Sequence, residues 1–238
     1  MNIILNILKW LIVLIVFTLL VSFASKKSIL DKLYVNHINI ESNKDKFLSD
    51  SIIFNYINNK SLLDIDSSLN NFQLIELTLK QNPYVDNATV FVDYNNGVNI
   101  EIQAVDPVAR VFNKSKSYYL DKNSVEIPCS SNFTKRSLII NGDVDLVDVQ
   151  ELCSLAVYIK SDSLWSAQIS QVFIEKNADI ILIPRVGGQK IIFGNASYLE
   201  LKFNKLKLFY KDIVRFKGWS YYNIVNLKFN NQIVCTKN

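Results

Sequence analysis

A chain of 238 residues, 49% apolar and 20% charged, with a formal charge of +4, has room for a membrane segment and about 200 further residues, enough for one large or two small folded units. Apolar and charged residues are interspersed, which excludes a disordered chain. The lysines are scattered, without the dense basic run that neutralises phosphates along a duplex, so nucleic acid is not an expected partner.

From Ile3 to Ala24 the one charge is Lys9, and Leu, Ile, Val and Phe dominate from Trp10 onward. About 20 such residues span a bilayer. This predicts a transmembrane helix over residues 9–25, within an apolar stretch that starts near residue 3, after a short cytoplasmic tail, 1–8. A cleaved signal peptide is the competing reading, since Ser22 and Ala24 are small residues at the positions a signal peptidase inspects; the length of the apolar run favours a retained anchor. Lys26, Lys27 and Lys32 follow the run while Lys9 and the amino terminus precede it, a charge balance that points against an exported domain.

Tyr34 to Glu41 reads as a short strand, with Ile38 and Ile40 on one face. Leu48, Ile52, Ile53, Tyr56 and Ile57 then lay an apolar stripe along a helix that Asn58-Asn59 ends. A second helix is predicted from about Leu69 to Gln81, with Phe72, Ile75 or Glu76, and Leu79 on a common face and Asn82-Pro83 as the stop. Ala88, Val90 and Val92 alternate with polar partners, as do Val98, Ile100 and Ile102, and Asn96-Gly97 between them suits a type I′ hairpin turn.

Farther on, Tyr118 to Pro128 reads as strand, turn, strand around Asp121 to Ser124. Ser137 to Ile140 is a strand and Gly142 a turn. Leu152, Leu155, Ala156 and Ile159 mark the buried side of a helix. Strands follow at Gln171–Glu175 and Ile180–Pro184, and Gly187-Gly188 joins the latter to Lys190–Phe193. Leu199, Phe203, Leu206, Phe209, Tyr210 and Ile213 define a long helix with Lys202, Lys205, Lys207 and Lys211 predicted largely on the opposite, solvated face. The chain closes with a strand pair, Tyr222–Phe229 and Gln232–Thr236, around Asn230-Asn231.

No catalytic constellation emerges. The single histidine, His37, falls in the first strand and offers no nucleophile–base pair. Asp64 and Asp66, and Asp143, Asp145 and Asp148, lack the glycine-bearing loop of a calcium site and are read as caps and turns. Cys129, Cys153 and Cys235 are odd in number and widely spaced, which defines neither a disulfide framework nor a zinc site; they are read as small buried hydrophobes, one extracytoplasmic bridge staying open. No cofactor, metal or small-molecule substrate is expected. The remaining physical resource is a sheet edge, and the terminal strands are the candidates because nothing follows Asn238 to cover them.

The order strand, helix, helix, strand, strand is that of a POTRA domain. Such a unit after a membrane helix, followed by Pro107-Val108-Ala109-Arg110, resembles the junction of POTRA and β domains in the FtsQ/DivIB family. Tyr118 to Pro128 is similar to that family's aromatic strand with an Asp and a turn glycine, although Ser124 replaces the glycine and Ala104 stands where an acidic residue is common. Trp219, Tyr222, Leu227, Lys228, Phe229 and the closing hairpin look like the family's C-terminal signature. The resemblance implies an α+β protein with a POTRA domain over 34–105 and a mixed α/β "β domain" over 106–238 that ends in an antiparallel hairpin. It further implies a non-catalytic scaffold of the divisome in the inner membrane at the division septum, with the bulk of the chain in the periplasm. Its partners would be FtsB/FtsL-like proteins, recruited by strand addition at Lys228, Phe229, Asn230 and Asn231, while the POTRA unit aids localisation. The alternative is a POTRA-containing accessory protein that binds extended clients in outer-membrane protein assembly or transport.

Overall fold

The computed structural model describes residues 2–28, 34–41, 53, 55–57, 69–94, 97–114, 116–129 and 134–238. These form two compact units, and the chain passes from the first to the second between Gln103 and Ala104.

The first unit opens with α1, Asn2–Ser28, which contains the whole predicted apolar run. Its side chains are described for residues 9–22, about 21 Å of helix at 1.5 Å per residue, against a hydrocarbon core of about 30 Å. Among the described residues no helix is long and apolar enough to cross a membrane. Trp10, Leu11, Ile12 and Val13, which as consecutive residues point to different sides of the helix, are all exposed, and the Thr18 hydroxyl donates back to the Ile15 carbonyl at 2.9 Å.

Strand β1, Tyr34–Glu41, runs parallel to β3, Gly97–Ala104, which lies between β1 and β2, Val85–Val92. A bulge between Val35 and His37 explains the imperfect alternation there, since one extra residue shifts the pleat. Most of the first predicted helix lies outside the described residues. Of its stripe, Ile53 and Ile57 are fully buried and Tyr56 donates to the Thr78 carbonyl at 3.3 Å. Helix α2, Leu69–Lys80, buries Ile75 and Leu79, while the Glu76 carboxylate leaves the stripe to accept from Val90 N–H at 2.8 Å.

The hairpin buries Ala88, Val90, Val98, Ile100 and Ile102 as alternation predicts. Its turn differs from the two-residue Asn96-Gly97 form. Gly97 is the first residue of β3 and pairs with Asp93, whose N–H donates to the Gly97 carbonyl at 2.9 Å. The Asp93 carboxylate accepts from Gly97 N–H at 2.8 Å, so a side chain takes the place of a backbone carbonyl there; Asn95 and Asn96 lie outside the described residues.

The second unit is built on a nine-stranded sheet in the order β12-β11-β10-β9-β8-β7-β4-β5-β6. Its early strands are β4, Ala109–Asn113, β5, Lys116–Leu120, and β6, Glu126–Pro128. The central group is β7, Leu138–Gly142, β8, Ile169–Ile174, β9, Ile180–Pro184, and β10, Lys190–Gly194. The last pair is β11, Tyr222–Asn226, and β12, Val234–Lys237. The pairs β4/β7, β7/β8 and β10/β11 are parallel and need crossovers. Helices α3, Val149–Ser161, and α4, Ser163–Gln168, carry the chain from β7 to β8.

The crossover from β10 to β11 is helical from Leu199 to Lys217 but not uniform. Helix α5, Leu199–Leu208, passes into a π-helical turn, Phe209–Val214, and a last turn α6, Arg215–Lys217. One extra residue per turn rotates the apolar stripe, and Phe209 and Val214 stay buried across the break.

The core joins these helices to one face of the sheet. Val111, Ile140, Val172, Leu182 and Phe193 are buried there with Leu155, Ile159, Trp165 and Phe203. Phe203 packs on Tyr158, Trp165 and Phe193 at centroid distances of 4.8, 4.9 and 5.2 Å. Asp148 caps α3 by accepting from Gln150 N–H at 2.6 Å. Asp145 accepts from Asn113 and Lys114 at 2.5 and 2.6 Å. All three cysteines are thiols; Cys153 is buried, and Cys129 and Cys235 are half-buried.

Two glycine-related positions show how sequence sets the turns. Between β5 and β6, Ser124 adopts φ +65°, the left-handed conformation that favours glycine. Asp121 compensates by accepting from the N–H groups of Asn123 and Val125 at 2.8 and 2.7 Å. Gly142, read as a turn, is instead the last residue of β7, at φ +93°, where a Cβ would lie 2.2 Å from the Ile174 carbonyl oxygen.

Candidate partner-binding edge

Strand β12 is the terminal strand of the sheet on the C-terminal side and pairs antiparallel with β11, Ile224 opposite Thr236, Val225 opposite Cys235 and Asn226 opposite Val234. The direction of its polar groups follows from one bond. Leu227 N–H donates to the Ile192 carbonyl at 2.9 Å, so Val225 and Leu227 face β10 and the intervening residues Ile224 and Asn226 face β12, because successive residues alternate. Thr236 and Val234 answer them, which leaves the N–H and C=O of Cys235 directed away from the sheet. The Cys235 side chain packs toward the core, and burial pushes its thiol pKa up. Val234 points outward and is exposed.

Lys228, Phe229, Asn230 and Asn231 lie in the connection between β11 and β12; the predicted strand to Phe229 ends at Asn226. Asn226 ends it by turning its side-chain carbonyl to accept from Lys228 N–H at 3.0 Å. Phe229 is 46% exposed and Asn230 and Asn231 are exposed. Lys228 is held within the chain. Its stem crosses Gly194, where a Cβ would meet Lys228 Cγ at 2.8 Å, and its ammonium pairs with Asp179 at 2.8 Å.

The lysines of α5 change the picture most. Lys202 and Lys205, predicted on the solvated face, turn toward the sheet. Lys202 is 6% exposed; it donates to the backbone and side-chain carbonyls of Asn195, both at 2.8 Å, and lies 4.8 Å from the Phe193 ring centroid. Burial first, then repulsion from Lys205, holds its pKa below the ordinary lysine value, with Asp179 opposing. Lys205 donates to the Leu227 carbonyl at 2.8 Å and the Phe229 carbonyl at 2.6 Å, and burial lowers its pKa too. A chain leaving a strand has carbonyls without ladder partners, and this ammonium supplies two donors that pin the connection to α5. Lys207 and Lys211 do face solvent.

A mixed sheet with its helices in one core and a last strand with outward backbone groups defines a class: an α+β domain that a further strand can extend. Residues 106–236 match the family described as FtsQ/DivIB, C-terminal related. The chain belongs to this FtsQ/DivIB-related family, which points to a role in cell division. No curated protein matches it.

Proposed function

We propose that this chain is a membrane-anchored scaffold of the bacterial division machinery whose second unit recruits an FtsB/FtsL-type partner by adding a strand to β12. The outward N–H and C=O of Cys235 carry the reading, because an unfilled edge offers an incoming chain backbone hydrogen bonds without regard to its side chains. Phe229 and Val234, exposed beside that edge, supply apolar contact. Lys228, already engaged with Asp179, orders the connection and presents Phe229, Asn230 and Asn231.

Residues 34–105 act as a POTRA-type localisation module in this reading, which the mixed order β1-β3-β2 supports. Residues 9–25 anchor the chain in the inner membrane, with the folded units in the periplasm and the protein concentrated at the septum. The apolar residues on every side of α1 support the anchor, since a helix apolar all round needs an apolar surrounding.

The decisive variant is Cys235→Pro in the full chain. Proline removes an N–H that faces off the sheet and is tolerated on edge strands, so the fold is kept while the added strand loses a bond. Loss of partner capture in a variant with unchanged circular dichroism is the expected result, and retained capture overturns the edge assignment. Alkaline extraction of membranes tests the anchor: the chain stays in the pellet, and its release into the supernatant rejects this part.

A further inference from the structure

At the start of the parallel strands β4, β7 and β8 the second unit holds a cavity of about 440 Å³, within the range of ligand pockets. It is separate from the β12 edge, since β8 lies four strands from β12, about 19 Å at the usual strand spacing. Its composition is uneven in charge. Lys135, Arg136, Lys160 and Arg185 line it, and Asp106 is the one acid among the lining residues.

Asp106 bridges Lys135 and Lys160 at 2.7 and 2.5 Å. Burial works to raise its pKa, yet hydrogen bonds and charge from both lysines outweigh that and hold the carboxyl below its ordinary value. The Asp106 carboxylate is thus shared between two ammonium groups. Among the described residues Arg136 and Arg185 make no ion pair, and both are exposed. Among the described residues the Ser137 hydroxyl, enclosed in the wall, has no hydrogen-bond partner. Lys160 also donates to the Pro107 carbonyl at 3.1 Å, and it answers the negative end of α3, which together with the Asp106 carboxylate opposes an anion at the site.

The floor is apolar: Val108, Ile159 and Ile169 line the cavity from below the basic rim. A bare inorganic anion leaves that floor unused, and a flat membrane surface does not enter a concave pocket. A carboxylate beside an aliphatic side chain matches both parts.

We infer that this cavity binds an acidic peptide segment of a partner protein, taking a carboxylate between Arg136, Arg185 and the bridged lysines and an adjacent aliphatic side chain on the floor. Guanidinium groups suit this, because their planar donors grip a carboxylate with two parallel bonds. The site stands independently of strand addition at β12.

The test uses the full chain in detergent micelles and a fluorescein-labelled peptide, Ala-Asp-Leu-Glu-Leu-Ala, read by anisotropy. Saturable binding is expected, weakened about tenfold in the double variant Arg136→Gln/Arg185→Gln, weakened by salt, and lost for the peptide with Asn and Gln in place of its acids. The double variant keeps its melting temperature, since it removes no ion pair seen among the described residues. Cys235→Pro leaves this binding intact, so failure at the edge and failure at the cavity are told apart. Equal affinity in the double variant overturns the proposal. So does displacement of the peptide by inorganic phosphate at an equal or lower concentration, or by phosphatidylglycerol vesicles, which would assign the site to a phosphate group.

Discussion

Replacing Lys205 by Met isolates what orders the connection between β11 and β12. Methionine keeps the unbranched stem and its packing but removes the ammonium that donates to the Leu227 and Phe229 carbonyls at 2.8 and 2.6 Å. A hydrogen bond from a charged donor contributes about 1.5–3 kcal/mol. The bond to Leu227 is part-buried and keeps most of that, whereas the bond to Phe229 is exposed and keeps little. Desolvation of the ammonium, visible in its lowered pKa, offsets part of the gain. The net loss is about 1–2 kcal/mol, a factor of about 5–30 in the local opening equilibrium. Hydrogen exchange followed by mass spectrometry on the full chain should show amides of residues 228–233 exchanging faster by that factor, while β7 and β8 are unchanged. Partner capture weakens by no more than the same factor, because the strand is still present but its connection is less ordered. Unchanged exchange in 228–233, or acceleration spread evenly over the second unit, would refute the pinning role.

Three further outcomes follow from the geometry. Gly142→Ala places a Cβ 2.2 Å from the Ile174 carbonyl oxygen at φ +93° and should cost about 3 kcal/mol, a fall of about 6–12 °C in melting temperature; a fall below about 2 °C contradicts the close approach. Ser124→Gly, at φ +65°, should leave stability equal or raise it by about 0.5 kcal/mol, relief of the left-handed strain exceeding the added freedom of the unfolded chain; a loss above about 1 kcal/mol means the hydroxyl has a role the turn does not show. Asp106 has its folded pKa lowered from 3.8, so its contribution is complete above about pH 4 and is lost as the pH falls through the lower folded value. Its carboxylate is half-exposed, which limits that contribution to about 1 kcal/mol. Asp106→Asn should therefore destabilise in urea titrations at pH 7 and match the parent near pH 2; an equal deficit at both pH values contradicts the ion-pair origin.

Much of the fold was legible because it rests on local periodicity. The stripes Ile75/Leu79 and Leu152/Leu155/Ala156/Ile159, and the alternation through Ala88–Val92 and Val98–Ile102, point to the core as predicted. The turn at Asp121–Ser124 was readable without its glycine, since the Asp carboxylate supplies local acceptors. Two elements went unread. Strand β4 alternates buried Ala109 and Val111 with Arg110 and Phe112, a signal only four residues long. Helix α4 is a short segment that places Trp165 in the core, and its mark was Asp162, which accepts from Leu164 and Trp165 N–H.

The sequence by itself determined which faces are dry, where the chain turns, and that it ends in paired strands, because hydrophobic period and turn chemistry act over a few residues. Only the tertiary structure decided that β11 stops at Asn226, that Cys235 holds the outward edge groups, and that Lys202 and Lys205 face inward. A helical wheel separates charged from apolar positions. It cannot know that the carbonyls of Asn195, Leu227 and Phe229 will lie within reach of an ammonium, because that proximity comes from loops closing over tens of residues.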